Sequence, residues 1–415
     1  MKVDVIVLGA GMVGVSAALA LQKRGRSVLL VDRGEPGEET SFGNAGVIER
    51  EGFVPVAFPR KLKALLRYGL NLSTEAHYHP AHLPKVVPWL MALRRNTDLP
   101  GIEAYAAAND LLCRHAVAEH RALAAEAGAE RYFRQDGWIR LYRSAESYAE
   151  AGLLHRLADQ YGVSYRVLEP AELAALEPHL RGRFHKAVLW PESDTVSWPG
   201  GVVKAYAELF RRLGGKVARG DARSLARAGD HWTVHIAGGS AEAPQVVAAL
   251  GAWTTDLTSR LGLSFPLVPK RGYHMHFGAE GNAVLTRPVV DNDYGYVLTP
   301  MERGIRLTTG IEFADRDAPP TPRQLERLRP IARGIFPLAE DRDAAPWLGR
   351  RPALPDSLPV IGAAPGVPGL WLDFGHGHLG FTQGPISGRL LADLVTGEPA
   401  VVDPKPFRAE RFFRA

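Results

Sequence analysis

Between Val3 and Asp32 the chain passes through an apolar stretch, VDVIVL, and then three glycines spaced as GAGMVG (Gly9, Gly11, Gly14). A run rich in Ala and Leu follows from Val15 to Lys23 and stops at Gly25, and a second apolar stretch, Ser27 to Val31, ends on an acid, Asp32. Strand, glycine turn, helix, strand and acid in this order leave few architectures open. Gly9 permits a tight turn, Gly11 lets the backbone approach a pyrophosphate, and Gly14 lets helix and strand pack closely. The helix start offers free N–H groups and partial positive charge to phosphates, so Ala10, Met12 and Val13 join the three glycines as candidate contacts. Asp32, eighteen residues beyond Gly14, is placed to accept hydrogen bonds from an adenosine ribose. An acid there disfavours a 2′-phosphate.

The uncharged stretch Val5 to Leu21 invites confusion with a signal peptide or membrane anchor. Only Lys2 precedes it, Asp4 stands where positive charge is wanted, and it is shorter than the ~20 residues that span a bilayer. The glycine fingerprint accounts for it. Across 415 residues, 46% hydrophobic and 23% charged, the composition is that of a soluble globular chain of two or three domains or one large composite. A net charge of +5 suits an anionic substrate, cofactor or lipid surface and gives no argument for nucleic acid. The single cysteine, Cys113, excludes an intramolecular disulfide and any multi-cysteine metal site. It fits a reducing compartment, and a cytoplasmic location is expected, with peripheral contact at the inner face of the cell membrane as the alternative.

After Asp32 comes a loop, Arg33-Gly34-Glu35-Pro36-Gly37, and then ETSFGNAGV from Glu39 to Val47. Small and polar residues this close to the second strand suit a wall for an extended dinucleotide, with Arg33, Thr40, Ser41, Asn44, Ala45 and Gly46 as its candidates. Near the other end, Trp347 to Gly362 reads WLGRRPALPDSLPVIG and Gly369 to Gly380 reads GLWLDFGHGHLG. The latter predicts a strand over 370–373, a glycine-rich approach, and a helix over 383–396 capped by Thr382 and stopped by Gly397. His376 and His378, two residues apart with no third ligand beside them, make a poor metal site, and no metal is expected.

The fingerprint, the Asp32-Arg33 pair, ETSFGNAG and the two C-terminal segments together resemble the FAD-dependent D-amino acid oxidase superfamily, most closely its bacterial D-amino acid dehydrogenase (small-subunit type) branch. The resemblance brackets nearly the whole chain and is weaker through the middle. It implies an α/β fold in which a Rossmann-like FAD-binding domain (1–50, 190–264 and 345–415) is interleaved with a substrate domain of mixed β-sheet plus helices (51–189 and 265–344). The cofactor implied is FAD. Gly251 ends the buried stretch VVAALG (246–251) and Trp253 follows it, at the point where the family passes the cofactor, and Gly375, His376, Gly377, His378, Leu379 and Gly380 correspond to the element facing the flavin. A covalent link through Cys113 is not expected, because that residue lies in a helical segment far from the flavin motifs.

The family places a carboxylate-binding arginine before the proline of a G-x-R-P segment, which here is Arg351 in Gly349-Arg350-Arg351-Pro352. A guanidinium fork matches both oxygens of a carboxylate. Arg271 or Tyr273 in the strand entering the substrate sheet and Tyr296 are the further substrate-facing candidates. The activity implied is oxidation of a D-amino acid, with hydride leaving Cα for flavin N5 and the imino acid hydrolysing to a 2-oxo acid and ammonia. D-proline or hydroxy-D-proline would give a ring imine instead. Electrons would pass to a quinone, an electron-transfer partner or O2. The alternatives are a sarcosine- or glycine-type oxidase and a flavoprotein subunit of a multi-chain complex.

Between these motifs, 58–160 reads as mostly helical, with a helix through 104–127 ended by Gly128. The cations and leucines of 60–95 suggest either basic surface helices or an interfacial membrane element, and Pro80, Pro84 and Pro88 are expected to interrupt any single helix there. A helix opens at Trp198-Pro199, a strand over 216–219 and a hairpin around 232–236 follow, and alternating strands occupy 265–287 and 292–310, where Tyr294 and Tyr296 share a face.

Overall fold

The computed structural model describes residues 1–413. The fingerprint strand Val5–Leu8 lies inside a six-stranded sheet ordered Lys216–Arg219, Val28–Asp32, Val5–Leu8, Gln245–Ala248, Leu370–Phe374 and Val360–Ala363. The first five are parallel, and the last adds antiparallel at the edge. Continuous apolar runs form these strands because both faces are covered. Val5, Val7, Val28, Leu30 and Val247 pack with helical residues such as Val15, Leu19 and Leu390. Their neighbours Ile6, Leu8, Leu29, Val31 and Val246 pack on the other side against Trp232, Val234 and Ala241, which belong to an antiparallel three-stranded meander over residues 226–243.

Helices Met12–Lys23 and Gly380–Thr396 cross closely over one face. A Cβ at Gly384 would stand 2.6 Å from the Met12 side chain, and one at Gly388 would stand 2.6 Å from the Ala17 backbone nitrogen. Glycine at both positions therefore brings the N-terminal turns of the two helices side by side. Leu99–Ala127 and Pro199–Arg212 complete this layer, the former ending at Gly128 in the left-handed conformation.

The second large element is an eleven-stranded mixed sheet. Its spine is the twelve-residue strand Val268–Ala279, which pairs with Trp347–Ala353 on one side and with Gly304–Thr308 and Ile311–Phe313 on the other. Beyond Gly304–Thr308 the order runs Tyr296–Met301, Val289–Asp291, Trp138–Tyr142, Lys186–Trp190 and Arg166–Leu168. The sheet packs on helix Arg323–Ile335 through Leu325, Leu328 and Ile335, which meet Met275, Phe277 and Leu307.

Three local expectations need correction. The C-terminal helix starts at Gly380 with Leu379 as its cap. Thr382 lies within its first turn, donating to the Val47 carbonyl at 3.3 Å and accepting from Glu49 N–H at 3.2 Å. The stretch 60–95 does break, into helices Leu62–Gly69 and Leu83–Asn96, but Pro88 sits inside the second helix. Burial of Val86, Trp89 and Leu93 on one side of that helix offsets the backbone bond that proline forfeits. Strand Val268–Ala279 ends well before Arg287, the residues between forming a turn and loop.

Candidate active site

The C-terminal ends of the five parallel strands open onto a cavity of about 1030 Å³ whose far wall is the large sheet. This is where open α/β sheets bind ligands. Gly9 has φ +104°, and a Cβ there would lie 2.3 Å from the Ala249 carbonyl oxygen, so only glycine makes the turn. A Cβ on Gly14 would fall 1.8 Å from the Gly9 carbonyl oxygen. Gly11, by contrast, faces the cavity, its nearest hindrance being the Ser41 hydroxyl oxygen at 3.3 Å from a built Cβ. Asp32 accepts from Ala10 N–H at 2.6 Å and from Gly34 N–H at 2.9 Å, which fixes the turn and leaves its carboxylate on the cavity wall. Ser41 accepts from Met12 N–H at 2.9 Å, tying ETSFGNAG to the first helix turn.

That segment is pinned from the other side by a residue outside the sequence-derived set. Arg306, 1% exposed, donates to the carbonyls of Phe42 (3.1 Å) and Asn44 (2.6 Å) and through Nε to His276 Nε2 (3.0 Å). With Nε2 accepting, His276 carries its proton on Nδ1 and donates it to Asp343 at 2.7 Å. Burial and the Arg306 charge lower His276 to about 4, so it stays neutral. Thr40 donates to the Arg350 carbonyl at 2.9 Å, Thr299 donates to the Ala45 carbonyl at 2.8 Å, and Asn44 Oδ1 accepts from Gly46 N–H at 2.7 Å. At the same end of the cavity as Asp32, the Arg33 guanidinium lies 4.2 Å from the centre of the Trp253 ring, and Gly251 stands beside it in the wall.

The GHGHLG turn runs along the cavity between Phe374 and the helix start at Gly380. Gly375 and Gly377 both have positive φ, and Gly377 N–H donates to the Pro352 carbonyl at 2.8 Å, which fastens the turn to the strand bearing Arg351. Burial holds both His376 and His378 down to about 3, and for His378 the charges of Arg351, Lys270 and Arg140 add to the effect. Both imidazoles are neutral.

Arg351 lines the cavity and donates to the carbonyls of Gly310 (2.8 Å) and Thr309 (3.2 Å). Among the described residues no carboxylate pairs with it. Burial lowers it to about 10, which still leaves it cationic at neutral pH. Arg350 points the other way along the strand, to the Arg316 carbonyl at 2.9 Å and towards Asp317.

Two of the other substrate-facing candidates have different roles. Arg271 does not reach the cavity: fully buried, it pairs with Glu312 at 2.8 Å and donates to the carbonyls of Asp315, Ala318 and Pro319, so it anchors the 315–319 loop. Tyr273 touches the cavity, but its hydroxyl donates to Glu312 at 2.8 Å and accepts from Thr321 N–H at 2.8 Å. Tyr296 does line the cavity, 1% exposed. Its hydroxyl has no partner, and burial, then the nearby Asp291 carboxylate, raise it above the ordinary phenol range.

The structure adds three residues that sequence reasoning passed over: Lys270, Glu49 and Arg140. Strand register explains the first. Lys270 stands directly across from Arg351 and shares its face, while Arg271 pairs with Arg350 and faces away. Burial, then the Arg351 charge, lower Lys270 to about 7. Glu49 lies two residues beyond Val47, its backbone held by Thr382; burial, then Glu51, raise its carboxyl to about 8. Arg140 occupies the middle of strand Trp138–Tyr142, an unexpected cation between aromatics, and that was its only signal in the sequence. Cys113 is buried against Asn109 and Gln383 rather than on the cavity wall, and burial raises its thiol to about 12.

Residues 4–394 match the family described as "DAO: FAD dependent oxidoreductase". A D-amino-acid oxidase of Bradyrhizobium diazoefficiens is 31% identical over 416 residues, 98% of each chain. A D-amino acid dehydrogenase of Methylobacterium radiotolerans is 34% identical over 409 residues, covering 95% of this chain and 96% of its own. Among solved structures, glycine oxidase from Geobacillus kaustophilus superposes over the whole of both chains with a TM-score of 0.76 at 22% identity. The L-proline dehydrogenase from P. horikoshii does so over 99% of this chain and 98% of its own with a TM-score of 0.75 at 19% identity.

Proposed function

The chain belongs to the family of FAD dependent oxidoreductases, and on that premise we propose that it oxidises D-amino acids to imino acids, which water converts to 2-oxo acids and ammonia. One observation carries the reading: Arg351 presents a cationic fork to the cavity with, among the described residues, no acid to neutralise it, held by the Thr309 and Gly310 carbonyls in the link between strands Gly304–Thr308 and Ile311–Phe313. A carboxylate is the ligand that completes such a group. The relatives named D-amino acid oxidase and dehydrogenase over nearly their full length support the same substrate class.

The residues fit the cofactor. Gly9, Gly11 and the two helix starts would hold its pyrophosphate, Asp32 its ribose, and the 40–46 segment and GHGHLG turn its isoalloxazine end. FAD supplies the two-electron acceptor for the substrate Cα–H bond. We assign 1–50, 190–264 and 345–415 to the cofactor and 51–189 and 265–344 to the substrate; strand Trp347–Ala353, which carries Arg351, joins the two by pairing into the large sheet. We hold the flavin to be non-covalently bound. Arg351 orients the α-carboxylate, and with it the Cα–H bond, while the buried wall of Tyr296, Leu354 and Leu379 excludes water.

A panel of D-amino acids, hydroxy-D-proline, sarcosine and glycine, assayed anaerobically with a dye and aerobically for peroxide, tests this. Turnover confined to sarcosine or glycine would replace the reading with the N-substituted glycine alternative. The aerobic arm distinguishes O2 from a quinone or protein acceptor.

A peripheral membrane contact, in the cytoplasm, belongs to the same proposal. Among the described residues no helix is long and apolar enough to cross a membrane. Leu62, Leu66, Leu70 and Leu72 are nonetheless 57–72% exposed on and just beyond helix Leu62–Gly69, flanked by Lys61, Lys63 and Arg67. Apolar side chains ringed by cations suit an anionic lipid surface. Co-sedimentation with anionic vesicles that Leu62→Ser with Leu66→Ser does not reduce would remove this part.

A further inference from the structure

Three cationic side chains, Arg351, Lys270 and Arg140, line the cavity, and among the described residues none of them is in an ion pair. The other deeply buried arginines are saturated: Arg271 by Glu312 and backbone carbonyls, Arg306 by two carbonyls and His276. Unpaired buried cations are expensive, and one α-carboxylate answers only part of the charge.

Arg351 and Lys270 are cross-strand partners on one face, so a single carboxylate can meet both. Arg140 is different. Its strand lies five places along the sheet from that of Arg351, yet both side chains reach the same cavity and both bear on His378. The Arg140 Nε is buried and has no hydrogen-bond partner, and the guanidinium lies 5.1 Å from the Trp138 ring centre, which fixes its direction. The acids nearest to it do not cancel its charge. Glu51 is engaged by Ser193 and by Trp138 Nε1–H at 2.7 Å. Glu49 feels the Arg140 charge, but burial and the neighbouring Glu51 outweigh it and keep that carboxyl raised. Burial raises the Glu51 carboxyl as well.

We infer that the cavity carries a second anion subsite, centred on Arg140, which receives the side-chain carboxylate of an acidic D-amino acid whose α-carboxylate rests on Arg351 and Lys270. The inference deepens the D-amino acid reading and rests on it for the amine. Arg140 is thus a specificity-determining residue. A protonated Glu49 beside the subsite can donate to the same carboxylate.

The test separates binding from oxidation. Glutarate and butyrate carry two and one carboxylates and no amine. Calorimetric titration into the FAD-loaded protein should show glutarate binding at least tenfold tighter than butyrate. Arg140→Met should cut that preference to threefold or less, and Arg140→Lys should restore part of it. In dye reduction, D-glutamate or D-aspartate should exceed its amide at least tenfold in kcat/KM, and Arg140→Met should collapse that ratio. No glutarate preference in the wild-type protein, a preference that Arg140→Met leaves intact, or highest turnover with D-arginine or D-lysine each overturns the subsite. Neutral D-amino acids turned over without glutarate preference overturn the subsite alone. Glutarate preference without turnover of any D-amino acid overturns the reading of the reaction and leaves the dianion subsite standing.

Discussion

The Arg351 guanidinium rests against Gly272: a Cβ built on Gly272 would lie 2.6 Å from Arg351 Nη1 and 3.0 Å from Cζ. The two residues come from paired strands, and the missing side chain of one is the space that the other's charge occupies. Gly272 has no positive φ, so its backbone conformation would accept alanine; the contacts forbid it, with Arg351 and with the Gly310 carbonyl oxygen, 2.9 Å from the built Cβ. Gly272→Ala should retain flavin, with a small local shift at Gly310, while displacing the guanidinium from the Gly310 carbonyl. The expected result is a rise in KM for D-amino acids of about 10- to 100-fold, from the loss of roughly 1.5–3 kcal/mol of charge-assisted bonding. Steady-state kinetics beside a flavin absorbance ratio checks it, and an unchanged KM would show that the guanidinium does not depend on this space.

Asp32 carries two duties, and substitutions can divide them. Its oxygens accept from Ala10 and Gly34 N–H groups, which shape the turn, and its carboxylate faces the cavity where the ribose belongs. Asp32→Ala removes both contributions and should weaken FAD retention by about 1.5–3 kcal/mol. Asp32→Asn keeps an acceptor for the turn and should lose less. Flavin content after dialysis, with far-UV circular dichroism to confirm folding, measures the order.

The cofactor half of the fold was legible because its signals are local. Gly9, Gly11, Gly14 and Asp32 lie within one βαβ unit, and each answers a steric or hydrogen-bonding demand of that unit. The substrate end was legible only in part, because it is assembled by strand register. In the Lys270-Arg271 pair, alternation says that the two side chains face opposite ways, but only the partner strand decides which one shares Arg351's face. Arg140 and Arg306 were harder still. Each is a lone cation in an apolar strand: the partners of Arg306 lie on elements remote in sequence, and Arg140 has no hydrogen-bond partner at its Nε, so no acid nearby in the chain marks either.

Lys270 should trade stability for binding. In the unfolded chain its amine holds a proton up to its ordinary 10.5, whereas burial beside Arg351 brings the folded value to about 7. Between these values the unfolded state binds more protons, so stability rises with pH. The cost of the buried charge is present in full below about pH 7 and is relieved as pH climbs towards 10.5. Lys270→Met should accordingly stabilise the substrate-free protein by about 1–3 kcal/mol at pH 6, and by less at pH 9. The same variant should bind carboxylates more weakly. Thermal unfolding at the two pH values decides it, and a gain that does not shrink with pH would mean that the amine is not the source of the cost.

Arg351 and Arg350 are adjacent in sequence and opposite in role, and the contrast is the sharpest test of the site. Arg351 faces the cavity, held by Gly310 and Thr309 carbonyls, whereas Arg350 is spent on the Arg316 carbonyl and lies near Asp317. Arg351→Ala should leave the protein yellow but cost about 2–5 kcal/mol in kcat/KM, roughly 30- to several-thousand-fold. Part of that loss should fall on kcat, because a loosely held carboxylate lets the Cα–H bond drift from its productive position. Arg351→Lys should recover only a fraction, since an ammonium cannot form the paired bonds of the fork. Arg350→Ala should be mild, changing kcat/KM by less than about fivefold, in line with the small worth of partly exposed polar contacts. Should Arg350→Ala be the damaging change and Arg351→Ala the mild one, the carboxylate would have to bind on the opposite face of the strand, outside the cavity that holds the cofactor.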